Sequence, residues 1–179
     1  MSIHDEHPFL AAEPDRDPAR RLRGRLGGAV SLWTAGDGAE RAGLTVSSLL
    51  VSPGEPARVL ALLDPDADLT DALRGTGTAV VQLLRWPHRG LAEAFAGLSP
   101  APGGPFRAAV WETTAWGPRL ADAPTWAGVR LEAAHEVGWA LQVVCAVEHV
   151  EVGPDDDPLE HRRGRWLRPA APAGRPADQ

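Results

Sequence analysis

Three small hydroxyls dominate the chemistry available to this chain. Thr45, Ser47 and Ser48 form a T-x-S-S cluster inside residues 43–73, GLTVSSLLVSPGEPARVLALLDPDADLTDAL. Ser47 and Ser48 are adjacent, so on a strand their side chains leave opposite faces. Solvation of one polar face therefore does not account for both. Other common sites are missing. The chain has no G-x-G-x-x-G, no P-loop, no G-x-S-x-G elbow, no H-E-x-x-H and no C-x-x-C. Its six His residues (His4, His7, His88, His135, His149, His161) are scattered, so no structural metal site is expected. His149 lies in an apolar strand and reads as a partly buried, satisfied imidazole.

The elements that must position these groups follow from pattern. The apolar, β-branched stretch Leu44 to Val51 reads as the end of a strand over 42–51. The Ser52-Pro53-Gly54-Glu55-Pro56 turn leads to a second strand, Arg58 to Leu63, which stops at Asp64-Pro65. A short helix begins near Asp66 or Asp68, with Leu69, Ala72 and Leu73 on one face and Gly75 closing it. Upstream, Arg20 to Leu26 suits one or two helical turns stopped by Gly27-Gly28, and 29–35 suits a strand in hairpin with 42–51. Downstream, 78–84 reads as a strand and His88 to Ala96 as a helix facing inward through Leu91, Ala92 and Phe95. The Pro/Gly-rich stretch 98–107 is loop, either mobile or functional. Trp126–Ala134 and Trp139–Val152 are strands, the second bent near Cys145-Ala146, and Arg163–Leu167 is a short last strand. Strands predominate, which favours a small barrel with inserted helices over a doubly wound sheet.

Composition narrows the function. A chain of 179 residues, 44% hydrophobic, carries one sizeable core. We expect an arm over 1–18, a domain over 19–168 and a disordered tail over 169–179. The net charge of -6 argues against a nucleic-acid partner. No apolar run reaches the ~18 residues of a membrane span, so no membrane partner is expected. The acidic N-terminus lacks a secretory apolar segment, and the lone Cys145 fits a reducing cytoplasm. All 18 basic residues are Arg. A Lys Schiff base is thereby excluded, and guanidinium is left as the strong phosphate partner. Tyr is absent, so it cannot serve as a general acid.

The hydroxyl-rich strand, Pro-bounded turn, buried strand and capped helix resemble the flavin reductase-like proteins, the FMN-binding split β-barrels. LLRWPHRGLAEAFAG (83–97) is similar to that family's strand, loop and helix, and PLEHRRGRWLRP (158–169) to its closing segment, with Trp166 as the aromatic. The resemblance spans roughly 20–168 and implies a mainly β split barrel with a few short helices. An isoalloxazine ring needs an apolar slot and donors along its carbonyl and N5 edge. The resemblance implies that Leu44, Thr45, Val46, Ser47 and Ser48 line the ring and ribityl chain. It places Asp64, Asp68 and Leu69 near the phosphate, with Arg41, Arg85 and Arg89 as candidate counter-ions. Where relatives carry Ser or Thr for phosphate, this chain has Ala67 and Leu69; Thr70 supplies a hydroxyl if the register shifts by one. Asp66 and Asp68 repel phosphate unless they cap the helix or point away.

One departure bears on mechanism. Many nicotinamide-using relatives carry Gly-Asp-His at the start of the long C-terminal strand, and this chain has Gly138-Trp139-Ala140. His135 could substitute only if the turn folds back. Trp139 either covers the ring or fills a barrel end. The expected function is an oxidoreductase that binds FMN (or FAD) and reduces it with NAD(P)H, feeding a monooxygenase partner, with homodimers as the family assembly. The alternatives are an FMN-binding protein without reductase activity, and a non-flavin β-barrel interaction module anchored by its Trp residues.

Overall fold

The structure, a computed structural model, describes residues 17–170. The expected arm and tail lie almost wholly outside these residues. Helix α1 (Pro18–Leu26) opens with Asp17 as N-cap, its carboxylate accepting from the Ala19 N–H at 3.0 Å, and stops at Gly27 with φ 64. The chain then forms β1 (Gly28–Ala29), β2 (Ser31–Ala35), β3 (Ala42–Val46), β4 (Leu49–Ser52) and β5 (Arg58–Leu63). Helix α2 (Asp68–Thr76), β6 (Thr78–Leu83) and α3 (Arg89–Phe95) follow. The last part is β7 (Trp111–Thr114), β8 (Gly117–Leu120), β9 (Trp126–Val137), β10 (Ala140–Glu151), β11 (Glu160–Arg162) and β12 (Arg165–Leu167).

One seven-stranded antiparallel sheet, ordered β3-β2-β6-β9-β10-β5-β4, carries the fold. Its two edge strands, β3 and β4, are consecutive in sequence. The two residues between them, Ser47 and Ser48, carry the chain from one edge of the sheet to the other. The Leu62 N–H donates to the Ser48 carbonyl at 3.0 Å, which adds one pair to the β4–β5 ladder and brings the edges together. The sheet is therefore curled into a split barrel. The single strand expected over 42–51 is two strands, broken at the hydroxyl pair because each half pairs with a different neighbour.

The barrel interior holds Trp33, Val46, Val59, Ala61, Leu63, Leu69, Leu73, Leu141, Val143 and Cys145, all buried. Alternation along β5 explains the selection: Val59, Ala61 and Leu63 point in, and Leu60 and Leu62 point out. Burial pushes the Cys145 thiol up to about 12, so it stays protonated and unreactive. Helix α2 caps the interior with Leu69 and Leu73. It runs through Gly75 and ends at Gly77, whose φ of 73 is left-handed, so Gly77 closes the helix in place of the expected Gly75. A second apolar cluster, under α3, gathers Val30, Leu32, Leu84, Leu91, Ala92, Phe95 and Leu159.

The β7–β8 hairpin and β11 were not foreseen. Buried polar groups fasten the hairpin: Gln82 donates to Thr34 Oγ1 at 3.1 Å and accepts from the Leu120 N–H at 2.6 Å. Thr34 Oγ1 in turn donates to the Pro118 carbonyl. The expected bend in the long strand is present as register shifts between Val144 and Cys145 and between Val147 and His149.

Candidate functional site

The expected site residues do not share one surface. In β3, Leu44 and Val46 face the interior, and Thr45 faces α3, donating from Oγ1 to the Ala92 carbonyl at 2.8 Å. Both faces of β3 thus carry packing contacts, with Gly43, Leu44 and Thr45 half-buried at the sheet edge. The Thr45 hydroxyl, expected to line a ring, is engaged with the α3 backbone. Ser31 Oγ donates to the Val46 carbonyl at 2.6 Å and accepts from the Trp33 indole at 3.2 Å, which fixes the end of the strand.

The junction itself is open. Ser47 is exposed and Ser48 half-buried. Among the described residues neither Ser47 nor Ser48 N–H has an acceptor, and neither hydroxyl has a partner. Two main-chain donors and two hydroxyls are therefore free at one point of the barrel rim, available to a ligand or to water.

Sheet register shows what lies beside them. Directly opposite residues of antiparallel strands share a face. Leu62 opposes Gln142, Gln142 opposes His135, and the Leu62–Ser48 bond extends the row. Ser48, Leu62, Gln142 and His135 thus form one transverse row on the outer face, about 14 Å across at ~4.8 Å per strand. The next row on that face is apolar: Leu50, Leu60, Val144 and Ala133. Leu62 is 41% exposed and Leu50 72%. An apolar floor with a polar margin and main-chain donors at one end suits a flat heterocycle edged with carbonyls and ring nitrogens. The sequence pointed to Ser47 and Ser48; Leu62, Gln142 and His135 needed the pairing register.

The β9–β10 hairpin tip borders this face. Leu141 opposes Leu63, so the tip, Gly138-Trp139, stands beyond the end of β5. Gly138 has φ 58, which glycine adopts without strain in a two-residue turn. The turn does not fold back. His135 reaches the site side by cross-strand register, so the expected requirement is removed. Trp139 is 78% exposed and does not fill a barrel end. The Arg20 guanidinium lies 5.0 Å from its ring centre, a cation–π contact.

The expected phosphate side is acidic. Asp64 accepts from the Asp66 N–H at 2.9 Å and its carbonyl accepts from Thr70 Oγ1 at 2.6 Å. Thr70, the alternative phosphate hydroxyl, is therefore engaged. Leu69 is fully buried, and Asp68 is exposed. The N-cap of α2 is Ala67, which supplies no side-chain cap, so only backbone N–H groups there could meet an anion. Arg89 lies over the Trp86 ring at 5.0 Å, Arg41 over Phe106 at 4.5 Å, and Arg85 is 4.0 Å from Asp156.

A cleft of about 930 Å³ lies between the β2–β3 turn, α2 and the β7–β8 hairpin. It shares Asp68 and Arg41 with the expected residues and is walled by Asp37, Glu40, Asp71 and Glu112 as well. Five carboxylates against Arg41 alone make that wall net negative, which disfavours a phosphorylated ligand there. His88, buried, accepts at Nδ1 from the Arg85 N–H at 3.1 Å and donates from Nε2 to Asp122 at 3.1 Å. It is a structural pin. His149 pairs with Glu151 at 3.1 Å and stacks on Trp116 with centroids 5.4 Å apart, the satisfied imidazole that was expected.

The curled seven-stranded sheet with three helices is the split-barrel fold of flavin reductases. Residues 23–168 match the family described as "Flavin reductase like domain", and the chain belongs to that family. A curated relative, "FMN reductase (NADH) RutF" of Variovorax paradoxus, is 30% identical over 154 residues, 86% of this chain and 85% of that protein. Among solved structures, the Streptomyces globisporus NADH:FAD oxidoreductase SgcE6 superposes with a TM-score of 0.77 at 24% identity, covering 90% of this chain and 98% of that one. BorF, the flavin reductase component of a bacterial two-component tryptophan halogenase, does so at 0.73 and 21% identity, covering 84% and 95%. At these identities the superpositions speak for the fold.

Proposed function

We propose that this protein is a flavin reductase that binds FMN or FAD on the outer face beside Ser47 and Ser48 and reduces it with a nicotinamide dinucleotide. The observation that carries this reading is the pair of unpartnered main-chain N–H groups at Ser47 and Ser48, at the edge of the Leu50–Leu60–Val144 floor. The donor set fits the ring: backbone N–H groups and small hydroxyls meet its carbonyl and nitrogen edge, and Leu62 meets its face. It fits the phosphate less well, because the side chains nearest the start of α2 are acidic. Phosphate charge is better met at the rim where α1 brings Arg20 beside Trp139.

When bound, the flavin supplies the redox chemistry, taking a hydride from the nicotinamide ring, which leaves oxidised, and one proton from solvent. The chain supplies position. Ser47 and Ser48 fix the polar edge of the ring through their N–H groups. Leu62 and Leu60 exclude water from one face and leave the other open for a second ring. No acid, base or nucleophile in the chain needs to react, which agrees with the absence of a triad or paired carboxylates.

The exposed edge strand β4, with Leu50 at 72% and Val51 at 65%, gives the floor a reason to be covered by a second subunit. A homodimer would place each flavin in the seam. The name of the RutF relative, FMN reductase (NADH), and the two-component setting of BorF support NADH, FMN and a partner enzyme, such as a monooxygenase, that consumes reduced flavin. A cytoplasmic location fits that supply role; among the described residues no helix is long and apolar enough to cross a membrane. Purified protein mixed with FMN and NADH should consume NADH, read at its absorbance band. Bound yellow flavin without NADH consumption would support the second reading, flavin binding without reductase activity, which the Gly138-Trp139-Ala140 tip favours.

A further inference from the structure

We propose that Trp139 and Arg163 hold the ADP half of a dinucleotide, the adenine on the indole and the diphosphate on the guanidinium. The inference rests on the flavin reductase reading for its two sources, FAD and NADH, and goes beyond it. Trp139 stands at the β9–β10 turn and is 78% exposed. The Arg20 guanidinium lies over its ring, 5.0 Å from the centroid, and among the described residues the indole has no other partner. An exposed indole with one face covered offers its other face to a flat base.

Helix α1 joins the two groups. Arg20 and Gly24 lie about one turn apart on one side of it, roughly 6 Å along the axis. Arg20 meets Trp139, and Gly24 meets the β11–β12 turn: its carbonyl accepts from the Arg163 N–H at 2.8 Å, and a Cβ on it would lie 3.9 Å from the Arg163 Cα. Arg163 has φ 53, a left-handed conformation that favours glycine, yet it carries a long cationic side chain, exposed and without a partner among the described residues. A backbone cost with no packing in return points to a use for the guanidinium. The surroundings add charge of the same sign. In a chain of net charge -6, α1 with its N-cap and the β11–β12 hairpin carry seven Arg residues against two carboxylates, Asp17 and Glu160. Burial first, and then the Arg23 charge, hold His161 below its usual value, so the field of α1 reaches β11. Guanidinium groups pair with phosphate oxygens two at a time. The same segment also touches the flavin rim, since a Cβ on Gly28 would lie 3.9 Å from the Ser47 carbonyl. FMN has no adenine and gains nothing from Trp139.

ADP is the probe, titrated by calorimetry into protein without flavin, so the result stands apart from the reductase reading. Wild type should bind ADP, and Trp139→Ala should weaken binding about tenfold, the value of one base stacked on an aromatic ring. Trp139→Phe should bring it back to within about threefold of wild type. Arg163→Gly should weaken ADP about fivefold without lowering Tm, because glycine takes a positive φ unstrained. W139A should also raise the Kd for FAD or the KM for NADH about tenfold and leave the Kd for FMN unchanged; the dinucleotide that loses affinity is the one the site takes. No ADP binding by wild type, undiminished binding by W139A or R163G, no recovery in W139F, no loss for either dinucleotide, or equal losses for FAD and FMN overturn the proposal. A wild type that binds ADP but neither binds flavin nor oxidises NADH ends the reductase reading, and the ADP titrations of the variants still decide the site.

Discussion

Thr45 and Ser48 are three residues apart and have different tasks. The Thr45 hydroxyl holds β3 to α3 through the Ala92 carbonyl, and the Ser48 N–H has no acceptor among the described residues. Thr45→Val should therefore cost about 1 kcal/mol in urea unfolding and leave flavin affinity unchanged. Glu148 carries a second residue-scale prediction. Hydrogen bonds from Arg130 and from the Trp116 indole hold its carboxyl below the usual carboxylate range. A depressed folded pKa gives stability that is fully present above the unfolded value and is lost as pH falls through the folded one. Trp116 emission should change in that acid window, below the ordinary glutamate range, and the change should vanish in E148Q. Ser47 and Ser48 stand out in the sequence as candidates because hydroxyls on an apolar strand are conspicuous. Gln142 and His135 were not, because they lie 94 and 87 positions from Ser48 and only pairing register joins them.

At the scale of elements, period and punctuation carried far. β5 falls on Arg58–Leu63 as its apolar run indicated, and α2 shows the inward Leu69 and Leu73. The split of 42–51 into β3 and β4 was hidden, because a strand that changes partners mid-way keeps its β-branched pattern. The β7–β8 hairpin was hidden for another reason. Its strands, WETT and GPRL, lack an apolar alternation and are held by Gln82, Thr34 and a Trp. Trp116 at the hairpin turn covers Gly128 on β9, where an added Cβ would lie 2.2 Å from the indole. Gly128→Ala should displace Trp116 and cost about 1–3 kcal/mol. A shift in Trp fluorescence with FMN binding intact would check it, since the hairpin stands away from the Ser48 face.

For the whole molecule, the curl of the sheet underlies both the proposed assembly and the proposed site. Consecutive strands β3 and β4 at opposite edges force the rim to close at Ser47–Ser48, and closure turns Leu50, Leu60 and Leu62 outward. An apolar outer face beside free main-chain donors is the surface on which the proposed ring and the proposed second subunit would meet. If the proposed dimer forms, Leu50→Glu should weaken it by about 2 kcal/mol, roughly thirtyfold in Kd, read by sedimentation velocity. The amide spectrum of the protein titrated with FMN tests the account most directly. The resonances of Ser47, Ser48 and Leu62 should shift most, with Gln142 and His135 following. Shifts gathered instead around Asp37, Asp71 and Trp116, in the acidic cleft, would contradict it.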